Sequence, residues 1–176
     1  EILKHSLISN KKLFNFLNKN ILNILKLKSP FIENAIYESC RIKKTVVEND
    51  EKEKNLRKIL NFGHTFAHAY EAALGYSKKL NHGEAVILGI YTAINFSHKN
   101  NLIPNNEYCS ILKHIKDSKL PFDIKKYFNL NHLDKILSFM TKDKKNKSEK
   151  INLILLKKIG SPIINKVFNK NTLRLF

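Results

Sequence analysis

The sequence predicts a mainly α-helical fold in one domain over residues 1–176, with one candidate short strand pair near 151–168. The chain has 176 residues, of which 43% are hydrophobic, so it is long enough to bury one core of its own. Apolar side chains recur through most of it with the period of an α-helix. The pattern of paired strands is confined to INLILL (151–156) and PIINKVF (162–168), on either side of Gly160.

Local signals place the helix boundaries. Ser29 and Pro30 are typical of a helix start, with Pro30 in the first turn. Residues 49–54 (NDEKEK) predict a polar turn, and Gly75 ends the helix that follows it. Leu120 and Pro121 separate two later helices. The predicted helical stretches are one or two helices within 1–27, and then about 30–49, 55–74, 82–99, 105–117 and 131–141.

The formal net charge of +17 does not come from one basic patch. Lysines are scattered among asparagines and isoleucines along the whole length, so no nucleic-acid partner is expected. The densest run, KDKKNKSEK (142–150), fits either a solvated loop or an anion-binding loop that closes on a substrate.

Other features of the composition predict a cellular location. Cys40 and Cys109 have no pairing pattern, which suits a reducing compartment. No apolar run is long enough to span a membrane, and no signal peptide is visible. We therefore expect a cytoplasmic protein with no membrane partner. Because the sequence begins at Glu1, without methionine and directly on a helical pattern, we also expect it to be a piece of a longer protein.

The stretch NFGHTFAHAYEAALGY (61–76) carries the strongest functional signal. On one helical wheel that begins at Arg57, four polar side chains share an arc of roughly 60°. They are Arg57, Asn61, His64 and His68. A merely solvated face of this protein would carry lysine and asparagine, so this combination indicates a site. The opposite face, expected to be buried, consists of Phe62, Phe66, Ala69 and Ala73.

Two histidines four residues apart can bind one metal ion. A zincin-type protease needs glutamate directly after the first histidine, and Thr65 occupies that position, so this class is disfavoured. A site of two histidines and one glutamate remains open, and spacing alone favours His64 and His68 as the shared pair. The further candidate ligands are His82, Glu1, Glu71 and Glu84.

Four segments resemble the 3-dehydroquinate synthase family, in matching order and spacing. They are EILKHSLI (1–8), RIKKTVVENDEKE (41–53), LRKILNFGHTFAHAYEAALGYSKKLNHGEAV (56–86) and MTKDKK (140–145). The wider group of sugar-phosphate cyclases shares much of this pattern. The resemblance implies an N-terminal α/β NAD-binding domain followed by a helical metal-binding domain. We expect this sequence to cover only the second, with the N-terminal domain absent from it.

The resemblance also implies a role for individual residues. The metal ligands for Zn2+ or Co2+ would be Glu1, His64 and His82, and the catalytic acid–base residues would be His68 and Glu53. The substrate-binding residues would be Lys4, Lys43, Arg57, Asn61, His82 and a loop lysine, Lys144 or its neighbour Lys145. Glu71 and Glu84 are predicted to be a helix-surface or network carboxylate and a first-turn dipole partner instead of ligands. His5, His98, His114 and His132 have no partners in sequence and are predicted to be incidental.

The implied reaction converts 3-deoxy-D-arabino-heptulosonate 7-phosphate to 3-dehydroquinate and phosphate, with NAD+ as the hydride carrier. The expected partners are this small anionic substrate, the N-terminal domain, and a second copy of the whole enzyme in a homodimer. Rival interpretations are another sugar-phosphate cyclase, a metal-dependent polyol dehydrogenase, and a basic nucleic-acid-binding module.

Overall fold

A computed structural model describes residues 1–141 and 150–176 of the protein. Over these residues the helices alternate with short connections, and one β-hairpin comes near the end. The elements are α1 (Ile2–Ser9), α2 (Lys11–Leu25), α3 (Phe31–Asn49), a 3-10 helix (Leu56–Asn61), α4 (His64–Ala73), α5 (His82–Lys99), α6 (Asn105–Asp117), 3-10 turns at Ile124–Lys126 and Leu130–His132, α7 (Leu133–Thr141), β1 (Lys150–Lys158), β2 (Ser161–Asn169) and α8 (Lys170–Arg174). The predicted mainly helical fold is confirmed.

Helix α5 is the centre of the core. Its residues between Ala85 and Ser97 are buried on nearly all sides, as expected for a helix that is apolar around its whole circumference. Helix α4 packs on one side of α5 and also against α7, and β1 packs on another side. The hairpin is fastened to α5 because the Ser97 hydroxyl accepts a hydrogen bond from the Leu156 N–H at 3.1 Å.

The predicted strand pair is confirmed as an antiparallel hairpin. Ile151 pairs with Phe168, and Leu155 pairs with Ile163. Gly160 lies in the turn with a φ of +82°, a left-handed conformation that glycine adopts without steric cost. Its N–H donates to the Leu7 carbonyl at 2.7 Å, so the turn is tied to α1.

The continuous helix predicted over about 55–74 is wrong. A 3-10 helix ends at Asn61, Phe62 is extended, and Gly63 has a φ of +78° before α4 begins at His64. The reason is the close approach of α4 to α5: a Cβ on Gly63 would lie 2.8 Å from the backbone nitrogen of Ile90. The face expected to be buried is nevertheless buried, including Phe62 and Phe66.

The remaining boundaries agree with the sequence patterns to within a few residues. The 1–27 region is two helices, since Asn10 ends α1 and caps α2 by accepting from the Lys12 and Leu13 N–H groups. The short helix α8 was not predicted. Cys40 and Cys109 are both free and exposed. Within the described residues, no helix has both the length and the apolar character that crossing a bilayer requires.

Candidate metal centre and substrate cleft

Three potential metal ligands, each at the N-terminal end of a different helix, converge on one point. Glu1 directly precedes α1, His64 is the first residue of α4, and His82 is the first residue of α5. One donor atom from each lies within 4.8 Å of the donor atoms of the other two. Glu1 Oε1 lies 3.3 Å from His64 Nε2. A carboxylate and two imidazoles are a donor set that Zn2+ and Co2+ accept in proteins.

Each of the two imidazoles is held through its Nδ1 atom. His64 Nδ1 lies 3.2 Å from the Phe62 carbonyl oxygen, and His82 Nδ1 lies 3.1 Å from a carboxylate oxygen of Glu71. An oxygen acceptor at Nδ1 favours the tautomer with hydrogen there, which leaves the lone pair on Nε2. Metal-bound histidines in proteins are commonly oriented in this way. The residues present therefore fit a divalent metal ion.

Basic neighbours keep the Glu1 carboxylate ionised. Its Oε2 lies 2.5 Å from Lys4 Nζ, and Lys4 is almost completely buried. Burial would raise the pKa of the Glu1 carboxyl, but hydrogen bonds from His64 and Lys4 outweigh that effect and hold the pKa well below its usual range. Burial also lowers the pKa of the Lys4 ammonium, and the nearby Glu1 carboxylate partly offsets this. An ionised carboxylate is the form that binds a cation.

A polar cleft of about 290 Å³ opens beside Glu1 and His64. Its walls come from α1, α3, the loop after α3, the 3-10 helix and the start of α4. The lining residues are Glu1, Lys4, His5, Lys43, Glu53, Arg57, Leu60, Asn61 and His64. Three of these side chains are cationic, and a guanidinium with two ammonium groups can bind carboxylate and phosphate oxygens.

The loop after α3 is shaped by Asp50. Its carboxylate accepts hydrogen bonds from the backbone N–H groups of Lys54, Asn55 and Arg57 at 2.8 to 3.0 Å. These bonds hold the pKa of Asp50 below its usual range, the Arg57 N–H contributing most. Within the loop, Glu53 has a φ of +51°, which is uncommon for a residue with a side chain.

This loop directs two candidate site residues into the cleft. Glu53 Oε1 accepts a hydrogen bond from Asn61 Nδ2 at 3.0 Å. Arg57 donates from one guanidinium nitrogen to the Glu51 carbonyl at 2.7 Å. The guanidinium of Arg57 is therefore partly anchored by the backbone.

His68 lies next to the three converging ligands. It is exposed on α4, one turn after His64, and its ring centroid is 5.5 Å from that of His64 and 6.3 Å from that of His82. Within the described part of the chain, the set of donor atoms that could share one ion includes His82 and not His68. The pairing of His64 with His68 that spacing alone favoured is therefore not the pairing in this set.

The expected site residues lie close together, but they do so through packing of separate elements and not along one continuous helix. Arg57 and Asn61 lie on the 3-10 helix and His64 on α4, so they do not share one helical arc. The resemblance places Glu1, Lys4, Lys43 and Glu53 in one site with three histidines, and the structure brings these side chains close together. The three histidines are His64, His68 and His82. Lys144 and Lys145 lie outside the described residues.

The sequence analysis did not predict that His5 lies in the wall of the cleft. His5 was predicted to be incidental, yet it is buried in the cleft wall, with its Nδ1 2.6 Å from the Ser39 hydroxyl and its Nε2 3.8 Å from Glu1. Burial, with a smaller contribution from Lys4, lowers the pKa of His5 to about 4. The available signal was its position four residues after Glu1, which puts both side chains on one face of α1.

The other three histidines set aside from the sequence lie away from the cleft. His98 stacks on Tyr108 with ring centroids 3.9 Å apart, and His114 Nδ1 lies 3.0 Å from the side-chain oxygen of Asn18. His132 caps a 3-10 turn together with Asn129. These contacts are structural.

Two solved structures that share this fold are named as synthases. A 2-epi-5-epi-valiolone synthase from Streptomyces hygroscopicus, with NAD+ and Zn2+ bound, matches with a TM-score of 0.81 at 19% identity, over 99% of this chain and 47% of that one. A 2-deoxy-scyllo-inosose synthase, complexed with carbaglucose-6-phosphate, NAD+ and Co2+, matches with a TM-score of 0.73 at 20% identity, over 99% and 49%. At such identities the likeness establishes the fold alone: this chain is folded like about half of each of those two proteins.

Sequence comparison identifies the particular family. The family described as 3-dehydroquinate synthase C-terminal matches residues 1–146, and the chain belongs to it. The 3-dehydroquinate synthase of Pelagibacter ubique is 60% identical over 176 residues, which are 100% of this chain and 48% of that enzyme. That of Dictyoglomus thermophilum is 44% identical over 163 residues, 91% of this chain and 43% of that enzyme. The chain spans about half the length of the curated relatives it matches.

Proposed function

We propose that this chain is the metal- and substrate-binding part of a 3-dehydroquinate synthase. The complete enzyme would convert 3-deoxy-D-arabino-heptulosonate 7-phosphate to 3-dehydroquinate and phosphate, a step of the shikimate pathway in the cytoplasm. The observation that carries the proposal is the convergence of two histidines and one glutamate within 4.8 Å, beside a cleft with three cationic side chains. Membership of the family supports it.

The proposed metal ion is Zn2+ or Co2+, held by Glu1, His64 and His82. When bound, the ion would act as a Lewis acid toward hydroxyl groups of the sugar. The chain's own contribution is to present three ligands from separate elements. An oxygen acceptor at Nδ1 orients each of the two imidazoles. Three protein ligands leave room for substrate oxygens, as catalytic sites require.

The cationic side chains of the cleft are the proposed anchors for the substrate. The substrate has a carboxylate and a phosphate, and Lys4, Lys43 and Arg57 line one cleft in which both groups could be neutralised. Asn61 adds an amide that can hydrogen-bond a hydroxyl while it still contacts Glu53. Binding two anionic groups at fixed points would orient the sugar ring relative to the histidines.

His68 and Glu53 are the proposed acid–base residues. His68 is exposed beside the ligand histidines, and an imidazole can accept and return a proton at one ring nitrogen near neutral pH. Glu53 lines the cleft, and its Oε1 accepts a hydrogen bond from Asn61. The Glu53 carboxylate and the His68 imidazole would each exchange a proton with a different part of the substrate.

NAD+ is proposed to bind mainly to an N-terminal α/β domain, with the complete enzyme as a homodimer. The five glycines of this sequence, at 63, 75, 83, 89 and 160, are isolated from one another. The described residues contain a two-stranded antiparallel sheet and no strand-to-helix glycine turn of the dinucleotide-binding type. Hydride transfer would therefore depend on that additional domain.

The test is a fusion of the N-terminal half of the Pelagibacter ubique relative ahead of Glu1. With substrate, NAD+ and Zn2+, the fusion should release phosphate without net NADH, while the 176-residue chain alone should release none. Replacing His68 by glutamine should lower the rate by about 10² to 10⁴. His98→Gln, at the ring stacked on Tyr108, is the matched control and should leave the rate unchanged.

Two results would contradict the proposal. Steady phosphate release by the isolated chain would show that the N-terminal domain is not needed. An active fusion that survives replacement of both His64 and His68 would show that the convergent histidines are not the site.

A second candidate is another sugar-phosphate cyclase, which the shared fold with two such synthases favours. A sugar phosphate without a carboxylate distinguishes the two. Turnover of that compound in preference to the carboxylate-bearing heptulosonate would support the second candidate.

A further inference from the structure

Glu71 is the immediate neighbour of His82, although the two residues lie on different helices. Both carboxylate oxygens of Glu71 are within hydrogen-bond distance of His82 Nδ1, at 3.1 and 3.3 Å. The Glu71 side chain is only 14% exposed, whereas the His82 side chain is 54% exposed. Glu71 is therefore held by the packing around it, whereas the more exposed imidazole of His82 depends on a partner for its orientation.

The position of Glu71 on α4 explains how it reaches this site. It follows His64 by seven residues and His68 by three, so the three side chains emerge from the same face of α4. His82 is the first residue of α5, which packs along α4. Glu71 thus lies on the same face of α4 as His64 and His68, and its carboxylate reaches His82 on α5.

The two ligand histidines differ in what holds their Nδ1 atoms. For His64 the acceptor is the Phe62 backbone carbonyl, which comes with the fold. For His82, whose ring is half exposed at a helix start, the acceptor is a side chain. An exposed imidazole without an acceptor at Nδ1 can rotate and can place hydrogen on either nitrogen, so fewer of its states offer Nε2 to an ion.

We infer that Glu71 is a positioning residue: it accepts the Nδ1–H of His82 and so directs Nε2 toward the metal ion. The inference rests on the metal site of the proposed function. Partners of ligand histidines typically change metal affinity by about 10- to 100-fold when removed. We expect Glu71→Ala to weaken Zn2+ binding by that factor, and Glu71→Gln, which keeps an acceptor oxygen, to weaken it less.

The experiment measures the dissociation constant for Zn2+ by competition with a chromophoric chelator. The proteins are the 176-residue chain and its Glu71→Ala, Glu71→Gln and His82→Ala variants, with circular dichroism as the check on folding. Glu84→Gln is the matched control. It also removes one negative charge near the start of α5, but the Glu84 carboxylate accepts from the Asn81 N–H at 2.9 Å, whereas the Glu71 carboxylate contacts His82 Nδ1.

A second readout reports the role of Glu71 separately from affinity. Long-range 15N–1H correlation spectra of the zinc-loaded chain should show His82 with hydrogen on Nδ1 and metal on Nε2. In Glu71→Ala the His82 signals should broaden or shift to a mixture of forms, while those of His64 stay as in the wild type because its acceptor is the backbone.

The outcomes distinguish this inference from the proposed function. Zinc affinity that falls in His82→Ala but stays at the wild-type value in Glu71→Ala would overturn the role of Glu71 and leave the metal site standing. An equal loss in Glu84→Gln and Glu71→Ala would also overturn it, since charge alone would then account for the effect. A wild-type chain that binds no Zn2+ would refute the proposed metal site, and this inference with it.

Discussion

Gly89→Ala is expected to damage both the fold and the site, because Gly89 lies where α5 crosses the start of α4. A Cβ at Gly89 would lie 2.1 Å from the Gly63 carbonyl oxygen and 3.0 Å from the Ala67 nitrogen. Those two atoms form the hydrogen bond that begins α4, from the Ala67 N–H to the Gly63 oxygen. The added methyl would thus press on the first turn of the helix that carries His64.

The size of the effect follows from these distances. A carbon and a carbonyl oxygen come no closer than about 3.3 Å in ordinary contacts, so a gap of 2.1 Å requires a shift of roughly 1 Å. Because the clashing atoms belong to the backbone, no rotamer change relieves them. Overpacking of this kind costs about 3 kcal/mol, which lowers the melting temperature of a domain of this size by about 6 to 12 °C. The same shift would separate His64 from His82, so zinc affinity should fall as well.

Thermal and urea unfolding, followed by circular dichroism, measure this cost. The matched control is Gly83→Ala in the first turn of the same helix, where a Cβ would meet no atom within 4 Å. Alanine should be neutral there or stabilise α5 by up to about 1 kcal/mol. If Gly89→Ala unfolds within about 0.5 kcal/mol of the wild type, or if Gly83→Ala is equally destabilised, the argument from helix contact is refuted.

Two further predictions concern buried polar groups. Ser97→Ala removes the acceptor of the buried Leu156 N–H and should cost about 1 to 3 kcal/mol in urea unfolding, whereas a loss below about 0.5 kcal/mol would mean that the hairpin does not depend on this bond. Burial lowers the pKa of His114 from 6.5 to about 4, so between these pH values the unfolded chain binds a proton that the folded chain does not. The free energy of unfolding should therefore fall by about 3 kcal/mol as the pH drops through this range, because of His114 alone. His114→Leu should remove this part of the dependence of unfolding free energy on pH. An unchanged slope in the variant would contradict this assignment.

Much of the fold could be predicted from periodicity and chain-breaking residues. The long apolar pattern of α5 and the two β-rich runs around Gly160 specify their elements locally, and both predictions are confirmed. The failure at 55–74 has a local cause too. A helical wheel assumes unbroken α geometry, whereas Gly63 takes a left-handed conformation so that α4 can approach α5. The glycine and the helix over 82–99 were both visible in the sequence, but the contact between them was not.

Most of the residues that line the candidate site could be named from the sequence, but their geometry could not. The family resemblance names Glu1, His64 and His82 together, but spacing alone pairs His64 with His68, because only those two are neighbours along one helix. His82 reaches the site through packing of α5 on α4, which is a long-range contact. The role of Glu71 depends on the same contact, so no local pattern could separate it from a surface carboxylate.

The most direct test of the metal centre is anomalous X-ray scattering at the zinc edge from crystals of the zinc-loaded chain. We expect one strong peak, coordinated by the Glu1 carboxylate and by Nε2 of His64 and of His82, with His68 nearby and not bound. A peak between His64 and His68 without His82, or no peak with one equivalent of Zn2+, would contradict it.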